Sequence, residues 1–201
     1  MKENALIKGT VRIIRAEIDK DKAERISKSA HMRLRELMEE NSGDSPALRK
    51  HTFSRIYPGI AVYEAMLAEG IPSEKAVWCL REYYQRFCRI PAAAIRTILK
   101  IPGLYRKVPA LLLKTSLKGF SEASGFVYRF PEHSTNETCF DIVKCPYYET
   151  CCRYGHPEIT KAFCDSDDVS YGNMHPKLIW GRTQTIGHGA DCCNFKLTLI
   201  D

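Results

Sequence analysis

Gly125-Phe126-Val127-Tyr128-Arg129-Phe130 is the stretch at which the hydrophobic pattern changes period. Phe126, Tyr128 and Phe130 alternate with Val127 and Arg129, the two-residue repeat of a strand, and beyond the turn-like Pro131–Asn136 a second strand is expected from Thr138 to Lys144. Upstream of Gly125 the apolar stripes step by three and four instead. The chain therefore reads as one domain in two parts, helical over 1–120 and cysteine-rich α+β over 121–201. The expected fold is α+β: an N-terminal helical layer packed on a four-stranded, mainly antiparallel sheet with two short inserted helices.

Working back from Gly125, residues 92–119 are apolar and basic and are broken by Pro102 and Pro109. Their cations are scattered, so short helices packed as core are expected there rather than a membrane-lying face. Val77, Leu80, Tyr84 and Phe87 mark a helix that Ser73 opens and Ile90-Pro91 ends. Ser45-Pro46 caps another, in which Ile56, Ile60, Tyr63 and Leu67 form the stripe and Pro58 predicts a kink or a split. Ala23, Ile26, Ala30, Leu34 and Leu37 place one more helix within residues 10–40, with a bend at Asp19–Lys22. Working forward, Cys145-Pro146 stops the second strand and opens a helix to Tyr154, and a second short helix runs from Glu158 to Cys164. Two further strands are expected near Leu178–Thr185 and Asp191–Leu199, joined at Gly187-His188-Gly189.

No apolar run approaches the roughly 20 residues of a bilayer span, and Met1-Lys2-Glu3-Asn4 starts no signal peptide, so a cytoplasmic protein is expected. In a reducing compartment the nine cysteines should be thiols, and dense cysteine usage then points to catalysis or metal rather than disulfides. Residues 1–120 hold 23 Lys and Arg against 13 Asp and Glu, while 121–201 hold 7 against 11. The basic excess is read as a solvated face and as steering for an anionic small molecule, with no nucleic-acid or membrane partner expected and a homo-oligomer left open.

Seven of the cysteines lie between Cys139 and Phe195, and chemistry is expected there. Cys145, where a strand gives way to a helix, is either a thiol drawn toward thiolate by the helix N-terminus or a small buried hydrophobe. Cys164 and Asp167 are three apart and share a face if their helix continues for another turn. A carboxylate raises a neighbouring thiol's pKa, so Asp167 suits a base for water or a partner for a cationic group. Cys193 and Phe195 share one strand face, with Asn194 on the other. A rival reading makes Cys145, Cys164 and Cys193 ligands of a divalent metal or iron–sulfur cluster, completed by His156, His175, His188 or Asp167. Gly-x-Ser-x-Gly, phosphate-loop and dinucleotide motifs are absent.

Cys145-Pro-Tyr after a strand, Phe163-Cys164-x-x-Asp167, and Arg182-Thr-x-Thr-Ile-x-x-Gly189 followed by Cys193-x-Phe195 together make the chain resemble the L-2-amino-thiazoline-4-carboxylic acid hydrolase family over roughly residues 50–199. Where that family usually has Cys-Asp-Phe, this chain has Cys193-Asn194-Phe195. The resemblance implies a hydrolase that opens a small cyclic isothiourea to N-carbamoyl-cysteine. It makes Cys145, Cys164, Asp167 and Cys193 the catalytic candidates and Arg182, Thr183, Thr185 and His188 the substrate-binding ones, with Arg182 on the substrate carboxylate. The alternative it leaves is a non-catalytic small-molecule- or metal-binding module similar to the 4-vinyl reductase type domain.

Overall fold

The computed structural model describes residues 4–200. Helix α1 (Ala5–Glu17) starts at Asn4, whose side chain accepts the N–H groups of Leu6 and Ile7. The Asp19 carboxylate accepts the Lys22 N–H at 2.6 Å, so the expected bend is a capped start for α2 (Lys20–Glu40). Ser45 caps α3 (Pro46–His51) as its Ser-Pro pair predicts.

Pro58 has no N–H to continue the ladder, and its ring would press on the carbonyl four residues back. The chain answers with a π-helical turn at Thr52–Ile56, in which the Tyr57 N–H reaches the Thr52 carbonyl, before α4 (Tyr57–Ala68) resumes. The predicted split is thus a one-turn bulge, and it carries Arg55.

Helix α5 (Ser73–Ile98) runs straight through Pro91, where the sequence predicts an end. Proline removes one hydrogen bond, and packing along α8 (Thr160–Tyr171) outweighs that loss. Arg96, beyond the proline, donates to the carbonyls of Val169 and Gly172 at 3.3 and 3.0 Å. Ser73 is not the cap; its hydroxyl bonds the Tyr63 hydroxyl instead, at 2.7 Å. A short 3-10 turn at Leu104–Lys107 leads into α6 (Val108–Gly119). The core packing expected of 92–119 holds for one side only: Ala92, Leu99, Tyr105 and Leu112 are buried, while Ile98, Ile101 and Leu111 are more than half exposed.

Strands β1 (Val127–Arg129), β2 (Glu137–Lys144), β3 (Leu178–Trp180) and β4 (Cys193–Leu199) form one sheet in the order β1-β2-β4-β3, every pair antiparallel. The inserted helices are α7 (Pro146–Arg153) and α8, which runs two turns past its expected end at Cys164. The β2–β4 register sets Phe140 opposite Phe195 and Ile142 opposite Cys193. By strand alternation these four share the face toward the helices, and the Phe140 and Phe195 rings stack at 4.9 Å. Strand β3 is shorter than expected because the chain leaves the ladder after Trp180.

One hydrophobic core joins both parts, from Ile7 and Leu37 through Tyr63 and Leu80 to Phe140, Phe163 and Phe195. His51 of α3 packs its ring against Phe120, Phe126 and Tyr147, so the first helices are closed by residues beyond 120. Among the described residues no helix is long and apolar enough to cross a membrane. Because Leu80, Tyr84 and Tyr57 would be uncovered without the sheet half, residues 1–120 expressed alone should show no cooperative thermal transition by circular dichroism. A sharp transition would separate the two parts into independent domains.

Candidate active site

The π-turn, the middle of α5, the ends of α6 and β2, the starts of α7 and β4, and one face of α8 surround a cavity of 330 Å³. Cys145, Cys164, Asp167 and Cys193 all line it, although 48 positions separate the first from the last. Cys164 and Asp167 share a face because α8 continues to Tyr171, and Cys193 reaches the same space because β4 turns its Cys193–Phe195 face toward α8.

The two sulfurs of Cys164 and Cys193 are in contact, Cys164 donating its S–H. The Ile186 N–H also donates to the Cys193 sulfur, at 3.2 Å. The contact depends on a glycine: a Cβ on Gly187 would lie 2.9 Å from the Cys164 sulfur and 3.2 Å from the Thr160 carbonyl carbon. The bond to Cys193, burial and the neighbouring Asp167 all hold the Cys164 thiol in its protonated form. Cys145 departs from expectation. Burial pushes its thiol up to about 12, and the Tyr148 and Tyr147 N–H groups at the start of α7 recover only part of the shift. The helix N-terminus is there, but desolvation wins, and neither thiol is an activated nucleophile.

Asp167 is tuned the other way. Burial pushes its carboxyl up to about 7, against the pull of Arg182 and with a further push from Asp168. About a third of the side chain, 32%, stays accessible, and that surface borders the cavity it lines, where protein rather than bulk water surrounds the charge. Arg182 donates to Asp167 at 2.9 Å, to Asp168 at 2.7 Å and to the Cys164 carbonyl at 2.8 Å, with 3% of its side chain exposed. Two carboxylates therefore share one guanidinium. Asp168 is 53% exposed, whereas burial makes Asp167 the carboxyl whose affinity for a proton is raised.

Arg182, expected on a substrate carboxylate, instead directs three of its five N–H donors at α8 and is not among the residues that line the cavity. Thr183 and His188 also lie outside the cavity. The Thr183 hydroxyl accepts from Asn194 at 2.8 Å in an exposed loop, and His188 pairs with Asp165, which in turn pairs with Arg81. Thr185 is buried beside Cys164 and behind the cavity wall. The Asn194 side chain accepts the N–H groups of Thr183 and Gln184 at 3.0 and 2.9 Å, and an aspartate could accept the same two. Departure from Cys-Asp-Phe thus alters a loop clamp and leaves the cavity unchanged. The three thiols border one space, yet among the described residues no three His, Cys, Asp or Glu side chains are arranged to hold a metal ion.

Sequence reading missed Arg55. It lines the cavity from the π-turn, close to the Tyr147 hydroxyl, which His51 holds from behind at 3.2 Å. No carboxylate pairs with it among the described residues. Its only signal in the sequence was Pro58, since a proline inside a helical stripe is one cause of such a turn.

A family model described as L-2-amino-thiazoline-4-carboxylic acid hydrolase matches residues 49–197. The chain belongs to the L-2-amino-thiazoline-4-carboxylic acid hydrolase family. The matched region contains Arg55, Cys145, Cys164, Asp167, Arg182 and Cys193, so the whole cavity wall falls inside this hydrolase family's span. No curated protein matches. Among solved structures, the Fe(II) unliganded H-NOX protein from K. algicida aligns over 99% of this chain and 97% of its own at 9% identity, with a TM-score of 0.43, too low to carry an argument.

The Asp167 carboxyl makes a pH-dependent contribution to stability whose sign can be worked out. Its ordinary value is 3.8 and its folded value about 7, so between these the native state holds a proton that the unfolded chain has lost. Its contribution is fully present below 3.8 and is lost as pH rises through 7. Urea denaturation at pH 5 and pH 8 should therefore show Asp167→Asn gaining stability relative to wild type as pH rises. An unchanged difference between the two proteins would place the group at an ordinary carboxylate value.

Proposed function

We propose that the protein hydrolyses a cyclic isothiourea of the 2-amino-thiazoline-4-carboxylate type inside this cavity. The observation that carries the reading is the Asp167 carboxyl, raised toward neutrality by burial, on the wall of a pocket that also holds Arg55, a guanidinium with no carboxylate salt bridge among the described residues. Ring opening needs water delivered to the carbon between nitrogen and sulfur, with a C–O bond forming and the C–S bond breaking. Of the water's two protons, one finishes on the ring nitrogen and the other on the departing sulfur.

Asp167, ionised, accepts the first proton as water attacks. Protonated, it is a stronger acid than an ordinary thiol at about 8.5, so it can return a proton to the leaving thiolate. Arg55 holds the substrate carboxylate, and the Arg182 clamp on Oδ2 of Asp167 leaves Oδ1 for the substrate. Cys145, protonated by its surroundings, serves as an S–H donor near the ring sulfur, and Cys164, whose S–H is held by Cys193, serves as a soft wall; neither is an attacking group. Cys193, bonded by Cys164 and the Ile186 N–H, holds that wall in place.

With 2-amino-thiazoline-4-carboxylate as substrate and the released thiol as the readout, Asp167→Asn should lower kcat by about a hundredfold or more. The rise of rate with pH near 7 should vanish with it. Arg55→Gln should raise KM with a smaller effect on kcat. Wild-type turnover surviving in Asp167→Asn, with its pH profile intact, would overturn the assignment of the base.

A further inference from the structure

The cavity is built for more than the compound that gives the family its name. Nine of its 21 lining residues are aromatic. At 330 Å³ it falls within the range of roughly 300–1,000 Å³ that serves drug-sized ligands, whereas 2-amino-thiazoline-4-carboxylate is a single small ring with two polar substituents. Such a compound would engage Arg55 and Asp167 and leave the cavity-side surfaces of the aromatic residues, Phe87, Phe120 and Phe126 among them, without a ligand against them. Phe87 is both part of the wall and 56% exposed, so the aromatic surface extends from the cavity to its mouth.

One side chain points independently to a bound ligand. Tyr84 is 94% buried by its 6% exposure, lines the cavity, and its hydroxyl has no hydrogen-bond partner. A buried hydroxyl left unpaired is costly, and in native proteins such a group usually finds its partner in a ligand or water. Its ring is fixed edge-on against Phe163 at 5.0 Å, and the Arg55 charge and the Tyr147 hydroxyl are its electrostatic neighbours. Tyr84 thus lines the same cavity as, and lies within electrostatic range of, the cation that receives an anionic head.

We propose that the substrate is an arylated or branched-alkyl cyclic isothiourea carboxylate, with its carboxylate bound by Arg55 and the Tyr84 hydroxyl and its apolar body in the aromatic part of the cavity. This rests on the hydrolase reading for the reacting ring alone; the binding claim stands or falls separately. The aromatic thiazole analogues cannot be opened, so binding to the wild-type protein can be measured without turnover.

Calorimetric titration with 2-aminothiazole-4-carboxylate and with its 5-phenyl derivative compares two probes that differ only in the apolar body. The phenyl compound should bind about tenfold more tightly or better. Equal or weaker binding of the phenyl compound would overturn the proposal, even if the parent thiazoline proves to be turned over. Conversely, tight phenyl binding with no hydrolysis of any thiazoline would sustain this inference and sink the hydrolase reading. Tyr84→Phe supplies the second arm, because it keeps the ring and removes only the unpaired hydroxyl. Both probes should bind about tenfold more weakly to it while the melting temperature stays the same or rises. Unchanged affinities would remove Tyr84 from the site, and a lower melting temperature with unchanged affinities would return its hydroxyl to a purely structural role.

Discussion

Arg182 is the side chain on which the two layers and the chemistry both depend. Its guanidinium leaves the segment after β3, crosses to α8, and there satisfies two carboxylates and a backbone carbonyl with almost no solvent contact. Only the guanidinium is buried, at 3% exposure, so losing its partners would leave that one charge uncompensated, while the carboxylates keep some access to solvent. The same three bonds fix the rotation of α8 relative to the sheet, and that rotation turns Cys164 and Asp167 toward Cys193. Burial, with Asp168 adding to it, then makes Asp167 the group that yields. The electrostatics of the site are a consequence of how the layers are joined.

The sulfurs behave as that electrostatic setting requires. A cysteine-rich region invites a nucleophile or a metal, but burial beside a carboxylate favours neutral thiols, and Cys145 shows that even a helix N-terminus does not reverse the balance. What remains reactive near neutrality is the carboxyl. Arg55, outside the Arg182 clamp, supplies the positive charge that a substrate can use, and the π-turn delivers it there.

Much of this was legible in the sequence. The period change at Gly125 located the sheet, the i to i+3 spacing of Cys164 and Asp167 gave their shared face, and the alternation around Asn194 separated it from Cys193. Those are properties of regular backbone, which spacing reports well. Pro91 misled because one lost hydrogen bond is small beside the packing of α5 on α8, a tertiary quantity. Arg182, Thr183 and His188 are placed outside the cavity for a related reason: a motif names residues but not their partners, and these three bond Asp167, Asn194 and Asp165. Arg55 and Tyr84 stayed hidden because their importance lies in what they lack, a carboxylate partner in one case and any hydrogen bond in the other.

The most direct test is a crystal structure of the complex with 2-aminothiazole-4-carboxylate. The expected result has the carboxylate on Arg55, the carbon between nitrogen and sulfur facing the free oxygen of Asp167, and Arg182 still bonded to Asp167 and Asp168. A ligand carboxylate bound to Arg182, with its bonds to α8 broken, or a ligand seated outside the cavity, would contradict it.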